Sequence, residues 1–479
     1  MGVTTKSINA LLEHIDAGEL VLPEIQRDFV WSRENVKLLF DSLYRGLPIG
    51  YMLVWKAKVT VTSKAIKGKK IAKIGQSLDS FYGYLLDGQQ RLTALRYVRD
   101  RFEKYDLRFS LWPDDEENPH KDRFCFKARW NQNPWYIPVS DALSENFDIV
   151  GAIENLKEME DFNYEQDANT VLASLTKLTQ MLKYEVGLIE FDENDYRKAT
   201  ELFIRFNSTG KKLGRSDLAA AELALTVPQL ISDGIGRVTS KYQPKFIFTK
   251  PFLIQCLAAV HKSRMDFSKP RDIWDGTNEN DIKASWKKTE IGIGKTISFL
   301  TGTVKWDSIT WLPSINSIIP LVYILSQDQF DGDGRSLARK WILLSNIYAI
   351  FSGAAHTKLD RILRSLKNNP TIDKLWNLTK KELGKVKPSH FDTRRKSGAA
   401  MSLYISMLRN KGAKDWNEQT ALSGNVIGHN AELQVHHFFP KALLQRQGWY
   451  YDDINTFANF AVINKQTNLD ISDKEPIEY

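Results

Sequence analysis

Leu85-Leu86-Asp87-Gly88-Gln89-Gln90-Arg91-Leu92-Thr93-Ala94-Leu95 is the stretch that decides the fold of the first half of this chain. The apolar run Phe81 to Leu86 reads as a strand, Gly88 makes a turn, and a helix follows to about Arg101. A strand, a glycine turn and a helix N-terminus place free backbone N–H groups beside polar side chains, which makes an anion site. Arg91 adds a guanidinium able to grip a phosphate with two N–H groups at once. Asp87, at the strand end, can hold a metal or a water. Taken alone, the Asp-Gly pair is a weak motif and reads first as a helix cap.

Upstream, Ser7 leads into Leu11, Leu12 and Ile15, the apolar face of a short helix. Leu22-Pro23-Glu24-Ile25-Gln26-Arg27-Asp28-Phe29-Val30-Trp31 precedes a second helix, Asn35 to Tyr44, which Gly46 and Pro48 end. Tyr51 to Trp55 reads as a buried strand, with Trp31, Tyr44, Tyr51 and Trp55 as core aromatics. Lys56 to Lys73 holds seven Lys and no acid. It reads as an exposed loop or hairpin, either solvated or touching phosphates. Downstream, Asp106 to Glu190 contains two strand-like pieces and a helical region, and Val186 to Phe191 is a strand. Asp195 to Leu225 reads as helix, turn at Ser208-Thr209-Gly210, helix. Beyond about Val227 the chain is mostly helical, with long apolar faces at Phe252 to Ala259, Ile315 to Leu325 and Leu337 to Phe351. Lys385 to Lys396 is a basic link. These changes of character divide the chain into residues 1–227, 228–411 and 412–479.

The chain has 479 residues, of which 42% are hydrophobic and 26% charged, enough apolar material for real cores. Two cysteines, Cys125 and Cys256, exclude a disulfide framework and a Cys-based zinc site. They read as inert buried thiols and fit a cytoplasmic protein. There is no secretory h-region and no run of about 18 apolar residues that would span a membrane. The net charge of +8 suits a nucleic-acid partner without requiring one.

The second informative stretch is Val435-His436-His437-Phe438-Phe439-Pro440-Lys441, followed by Ala458-Asn459-Phe460-Ala461-Val462 and then Asn468. Two adjacent histidines sit on an apolar strand that a proline stops, and a second apolar strand follows an Asn. A hairpin plus helix of this kind can gather one His and one Asn around a divalent cation, with the other His left to deprotonate water. A His pair on a strand can also merely satisfy its neighbours. The pattern resembles the HNH, or ββα-metal, nuclease motif in its His-His-x-x-Pro form. That resemblance implies His437 as general base, His436 and Asn468 as metal ligands, and Asn459 as the residue that ties the hairpin and orients the base. It also implies Mg²⁺ or Mn²⁺ stabilising charge on the scissile phosphate. HNH helices usually run further than Tyr479, so an incomplete final helix is expected.

Three motifs in the first half stand in order: Pro23-x-x-Gln26-Arg27-x-x-x-Trp31, Asp87-Gly88-Gln89-Gln90-Arg91, and Phe203-x-Arg205-x-Asn207-x-x-Gly210. From Ser7 to Leu225 the chain resembles the N-terminal domain of GmrSD-type restriction enzymes, and the two-part plan is similar to that of SspE-like phosphorothioate-dependent nucleases. The resemblance implies an α+β multidomain protein: a ParB/sulfiredoxin-like N-terminal domain, a mainly helical middle and a C-terminal HNH module. It implies that Asp87, Gly88, Gln89, Gln90 and Arg91 handle a nucleoside triphosphate, GTP or ATP. Gln26 and Arg27 would share that site or read DNA. Arg205 and Asn207 would contact phosphate or ribose, their alternative being a helix C-cap with a surface ion pair. The expected function is modification-dependent cleavage of double-stranded DNA in antiviral defence, by a homo-oligomer or with other defence proteins. A non-cleaving, nucleotide-switched DNA regulator is the alternative, and an RNA nuclease a further one. Gly292-Ile293-Gly294-Lys295-Thr296 ends like a P-loop but lacks the earlier glycine and the preceding strand. His261, His356 and His390 stand alone and read as structural or surface residues.

Overall fold

A computed structural model describes all residues other than 1, 24–25, 27–28, 57–62, 65, 67–80, 103, 112–122, 127–133, 158, 160–161, 194–197, 200–201, 203–214, 228, 266, 268–272, 275, 328–329, 393–397, 418–420, 423–432, 473 and 479. The chain forms two compact units, Met1–Leu225 and Thr226–Tyr479. Both helices and small sheets are present, so the class is mixed α and β.

The first unit runs β1 (Gly2–Ser7), α1 (Ile8–Asp16), β2 (Leu20–Pro23), α2 (Arg33–Tyr44), β3 (Met52–Trp55), β4 (Ser63–Lys64), β5 (Gly83–Asp87) and α3 (Gln89–Arg99). Three short strands follow, β6 (Arg108–Ser110), β7 (Phe124–Cys125) and β8 (Tyr136–Pro138), then α4 (Tyr164–Thr179) and β9 (Glu185–Phe191). The main sheet has the order β1-β9-β3-β5-β2-β4. β3 is parallel to β9 and antiparallel to β5, and β5 is parallel to β2. All four residues of β3 are buried, as expected for a strand covered on both faces. Ser7 caps α1 by accepting from the Ala10 N–H, and Ser32 and Asn35 cap each other's backbone at the start of α2. Ile8, Leu11, Leu12 and Ile15 of α1 meet Val36 and Phe40 of α2 and Leu92 and Leu95 of α3 in one core.

Helix α3 stops at Arg99 rather than near Arg101, because Arg101 has a φ of 47°, which a right-handed helix excludes. Tyr44 and Trp55 are buried and Trp31 is half-buried, but Tyr51 is 56% exposed. It precedes β3 and lies against Gly187, where an added Cβ would come within 2.5 Å of its ring. Most of Lys56 to Lys73, and the turn Ser208 to Gly210, lie outside the described residues.

The second unit runs α5 (Lys250–Lys262), α6 (Glu279–Phe299), α7 (Ile319–Leu325), α8 (Gly332–Ile347), α9 (Ala355–Leu366), α10 (Ile372–Thr379), α11 (Ala399–Asn410), β10 (Leu433–His437), α12 (Lys441–Arg446), β11 (Phe460–Asn464) and α13 (Lys465–Ile471). Every residue of α7 is buried. Gly292 lets α6 approach it closely, since a Cβ there would lie 2.4 Å from the Val322 carbonyl oxygen. The P-loop-like stretch from Gly292 to Thr296 is therefore the middle of a helix. Helix α8 ends at Ile347, short of Phe351, because Ala349 has a φ of 48°. Cys256 is buried, and that burial pushes its thiol pKa up. Cys125, expected to be buried, is only half-buried. Among the described residues no helix is long and apolar enough to cross a membrane.

The turn between β5 and α3 requires glycine twice over. Gly88 has a φ of 98°, and a Cβ there would lie 2.7 Å from Met52 Cγ. Gly88→Ala is expected to cost about 1–3 kcal/mol from strain and overpacking, read as a lower urea midpoint for unfolding.

Candidate functional site

In the first unit, β5 delivers Asp87 to its C-terminal end, and Gly88 opens α3 as an N-cap without a side-chain hydrogen bond. The Asp87 carboxylate is therefore not the cap. It accepts from Arg91 Nη2 at 2.8 Å, one helical turn on. Arg91 also donates from Nη1 to the Ile49 carbonyl at 2.6 Å and from Nη2 to the Tyr51 carbonyl at 2.7 Å. Three of the five guanidinium N–H groups are thus committed to the chain itself. Burial lowers the Arg91 pKa and Asp87 works against that effect; the group stays charged at any physiological pH. Gly50, with a φ of 84°, keeps the approach open, since its Cβ would lie 3.1 Å from Arg91 Nη1.

Gln26 is buried and its amide donates to the Leu85 and Leu86 carbonyls, directly beside Asp87. Gln90 Oε1 accepts from the Val30 N–H at 2.9 Å. The Gln26 stretch and the Asp87 turn, 60 residues apart in sequence, therefore meet at one place. The structure brings Gln26, Asp87, Gly88, Gln89, Gln90 and Arg91 together. Arg27, Arg205 and Asn207 lie outside the described residues. Gly88, as N-cap, brings no side chain of its own to the N-terminus of α3, while Arg91 acts first as a clasp.

In the second unit, β10 and β11 pair antiparallel, with His436 opposite Ala461 and His437 opposite Phe460. Adjacent strand residues point to opposite faces. His436 meets α13, its Nδ1 lying 2.6 Å from Asn468 Oδ1. The Asn468 amide donates to Gln434 Oε1 at 2.6 Å, which turns its oxygen toward the histidine. The ring of His437 instead places Nε2 at 3.0 Å from Asn455 Oδ1. Asn455 Nδ2 donates to the Tyr451 carbonyl, so its oxygen accepts and His437 Nε2 carries the proton. In the neutral ring Nδ1 is then the basic nitrogen. Both histidines are buried.

Asn459 ties the loop after β10. Its Oδ1 accepts from the Phe439 N–H at 2.8 Å, and its Nδ2 donates to the Phe439 and Ile454 carbonyls. Asp415 holds the other end. Its buried carboxyl accepts the Asn464 N–H at 2.7 Å and the Thr467 hydroxyl, which caps α13, the helix that carries Asn468. Asp415, Asn455 and Gln434 were not singled out by sequence, since they lie outside the motif windows and only pairing across the fold brings them to the hairpin.

Helix α11 supports the hairpin from behind: Met401 and Ile405 share a core with Phe460 and Val462. Arg409 anchors that helix through Asp307, at 2.7 and 3.1 Å, while Trp306 Nε1 donates to the Ser402 carbonyl. A division at 411/412 falls between α11 and the hairpin it covers.

The metal expected here can be tested against the donor set. Among the described residues no three His, Cys, Asp or Glu side chains gather around one point. The donors that do converge are His436 Nδ1 and Asn468 Oδ1, which share a proton at 2.6 Å and would have to part to about 3 Å to hold an octahedral cation between them. Two protein ligands with water completing the shell suit a divalent ion that keeps several waters.

Asp415→Ala removes a buried acceptor and strands the Asn464 and Thr467 donors. It is expected to destabilise the second unit by about 2–4 kcal/mol, measured by thermal and urea unfolding, with loss of the order that positions Asn468.

Residues 8–224 match the family described as GmrSD restriction endonuclease, N-terminal domain. The uncharacterized protein MJ0686 of Methanocaldococcus jannaschii is 24% identical in an alignment covering 99% of this chain and 86% of that protein. The motif residues that converge at the β5–α3 turn all fall within the matched range, so it is this part of the chain, residues 8–224, that is similar to the GmrSD restriction endonuclease N-terminal domain.

Proposed function

We propose that this protein is a modification-dependent DNA endonuclease of antiviral defence, with a ParB-like N-terminal domain that binds a nucleoside triphosphate and a C-terminal HNH module that cuts. The observation that carries the cutting step is the hairpin-plus-helix arrangement of His436, His437, Asn459 and Asn468. The family match over residues 8–224 supports a restriction-type role and disfavours a non-cleaving regulator.

In this reading His437 takes a proton from water at Nδ1, while Asn455 holds its other nitrogen protonated and fixes the ring. Asn459 keeps the loop after β10 in place, so the base keeps its aim. His436 and Asn468 would hold Mg²⁺ or Mn²⁺, which when bound supplies charge stabilisation to the scissile phosphate. In the first unit, the N-terminus of α3 would take the triphosphate, with Gln89 and Gln90 at the helix start and Arg91 bracing the turn.

Two measurements test these readings. With plasmid DNA and Mn²⁺ or Mg²⁺, His437→Ala is expected to slow cleavage by about 10²–10⁴-fold while the protein stays folded. Nicking at the wild-type rate by that variant would sink the HNH assignment. Calorimetry of the folded protein with GTP and with ATP is expected to give saturable heat with at least one of them. No heat with either leaves the Asp87 turn as a structural clasp only.

A further inference from the structure

We propose that the outer surface of α8, α9 and α10, continued by the segment to Lys387, binds the phosphate backbone of duplex DNA. This rests on the DNA reading above but concerns a surface distinct from the hairpin. Residues 332–387, from the start of α8, hold twelve Lys and Arg against four Asp and Glu, a net charge of +8, as large as that of the whole chain. The remainder of the chain is therefore close to neutral, and the positive excess is local.

The four acids in this stretch are paired or stand at helix starts. Asp360 accepts from the Met265 N–H at 2.8 Å and from Arg364 at 2.7 Å. Glu382 pairs with Lys358 and, at 3.8 Å, with Arg361, and Asp333 and Asp373 sit in the first turns of α8 and α10, where negative charge complements the helix dipole. Among the described residues, no carboxylate lies within ion-pair distance of Arg335, Lys367, Lys380, Lys381, Lys385 or Lys387, and all six are exposed. The apolar stripe of α9, Leu359, Ile362, Leu363 and Leu366, is buried. That burial turns Arg361 and Arg364 outward on the opposite stripe. Uncompensated like charges repel one another and work against the folded state. A polyanion removes that repulsion and releases the counterions the phosphates held.

The same surface is fastened to the candidate cutting site. The Tyr348 hydroxyl donates to the Lys385 carbonyl at 2.7 Å, and its ring meets His390 edge-on at 5.0 Å. The next residue, Phe391, packs on Phe457 at 5.1 Å, and Phe457 opens the turn that carries Asn459. A duplex held along α9 and α10 is thereby held to the element that positions the hairpin. Such contacts carry no base information and set register only.

The test is binding of a fluorescent linear duplex to the full chain, with a chelator present so that no cleavage occurs, over about 50–200 mM salt. Arg361→Ala/Lys367→Ala/Lys381→Ala should weaken binding about tenfold or more at 0.1 M salt and lower the slope of log K against log salt by about 2.7, the value for three lost phosphates. A second triple, Lys380→Ala/Lys385→Ala/Lys387→Ala, should do the same. The control triple Lys283→Ala/Lys287→Ala/Lys288→Ala removes equal charge from the exposed face of α6 and should bind like the unaltered chain. Wild-type slopes in both test triples, or equal losses in the control, overturn the proposal. Because binding is read without metal, a chain that binds through this surface but never cuts refutes only the nuclease reading. Cleavage with unaltered binding in both test triples refutes only this surface.

Discussion

The guanidinium of Arg91 is the interaction on which the first unit depends. Its planar fork reaches the carbonyls of Ile49 and Tyr51 and the carboxylate of Asp87 at once. One side chain thus fixes the chain entering β3 to the turn between β5 and α3. A guanidinium offers its donors in a fixed geometry, so little order is lost per bond formed. Gly50 and Gly88 leave room for this clasp, and Gln26 stitches the preceding strand to β5 on the same edge. The arrangement makes a motif that resembles a ligand grip into a structural keystone as well. A bound anion would then meet the backbone N–H groups of α3 rather than a free arginine.

The hairpin of the second unit is governed by the same economy of buried polar groups. Asp415 and Asn459 satisfy, between them, the Asn464 N–H, the Thr467 hydroxyl and both backbone groups of Phe439. Buried donors left unpaired cost more than the bonds contribute. These two side chains therefore determine where β10 ends and where α13 starts. The histidines inherit their positions from that frame, and α11 closes its apolar back.

Charge is distributed with a purpose that the total conceals. A net charge of +8 over 479 residues is modest, yet residues 332–387, the helices α8 to α10 together with the segments that follow them, carry a net +8 by themselves. The acids that lie among those cations are taken up by helix starts and ion pairs. An extended polyanion is the ligand that such a surface fits.

Much of this molecule was determined by local sequence. The helices at Ile8–Asp16 and Arg33–Tyr44 and the strands at Met52–Trp55 and Glu185–Phe191 follow from apolar periodicity and from serine caps, which act within a few residues. The glycine at 88, the two histidines and the paired asparagines were visible for the same reason, since their spacing is short. Tertiary structure alone decided the sheet order, which sets β9 between β1 and β3 and pairs residues more than 100 positions apart. It decided that Arg91 is a clasp, that Asn455 rather than Asn459 holds His437, and that Asp415 caps a helix some 50 residues away. It also ended α3 and α8 early, at Arg101 and Ala349, whose left-handed backbone no propensity reveals. Short-range order is written in side-chain periodicity and caps, whereas the partner of a buried polar group is chosen by whichever distant segment the packed core brings within hydrogen-bonding reach.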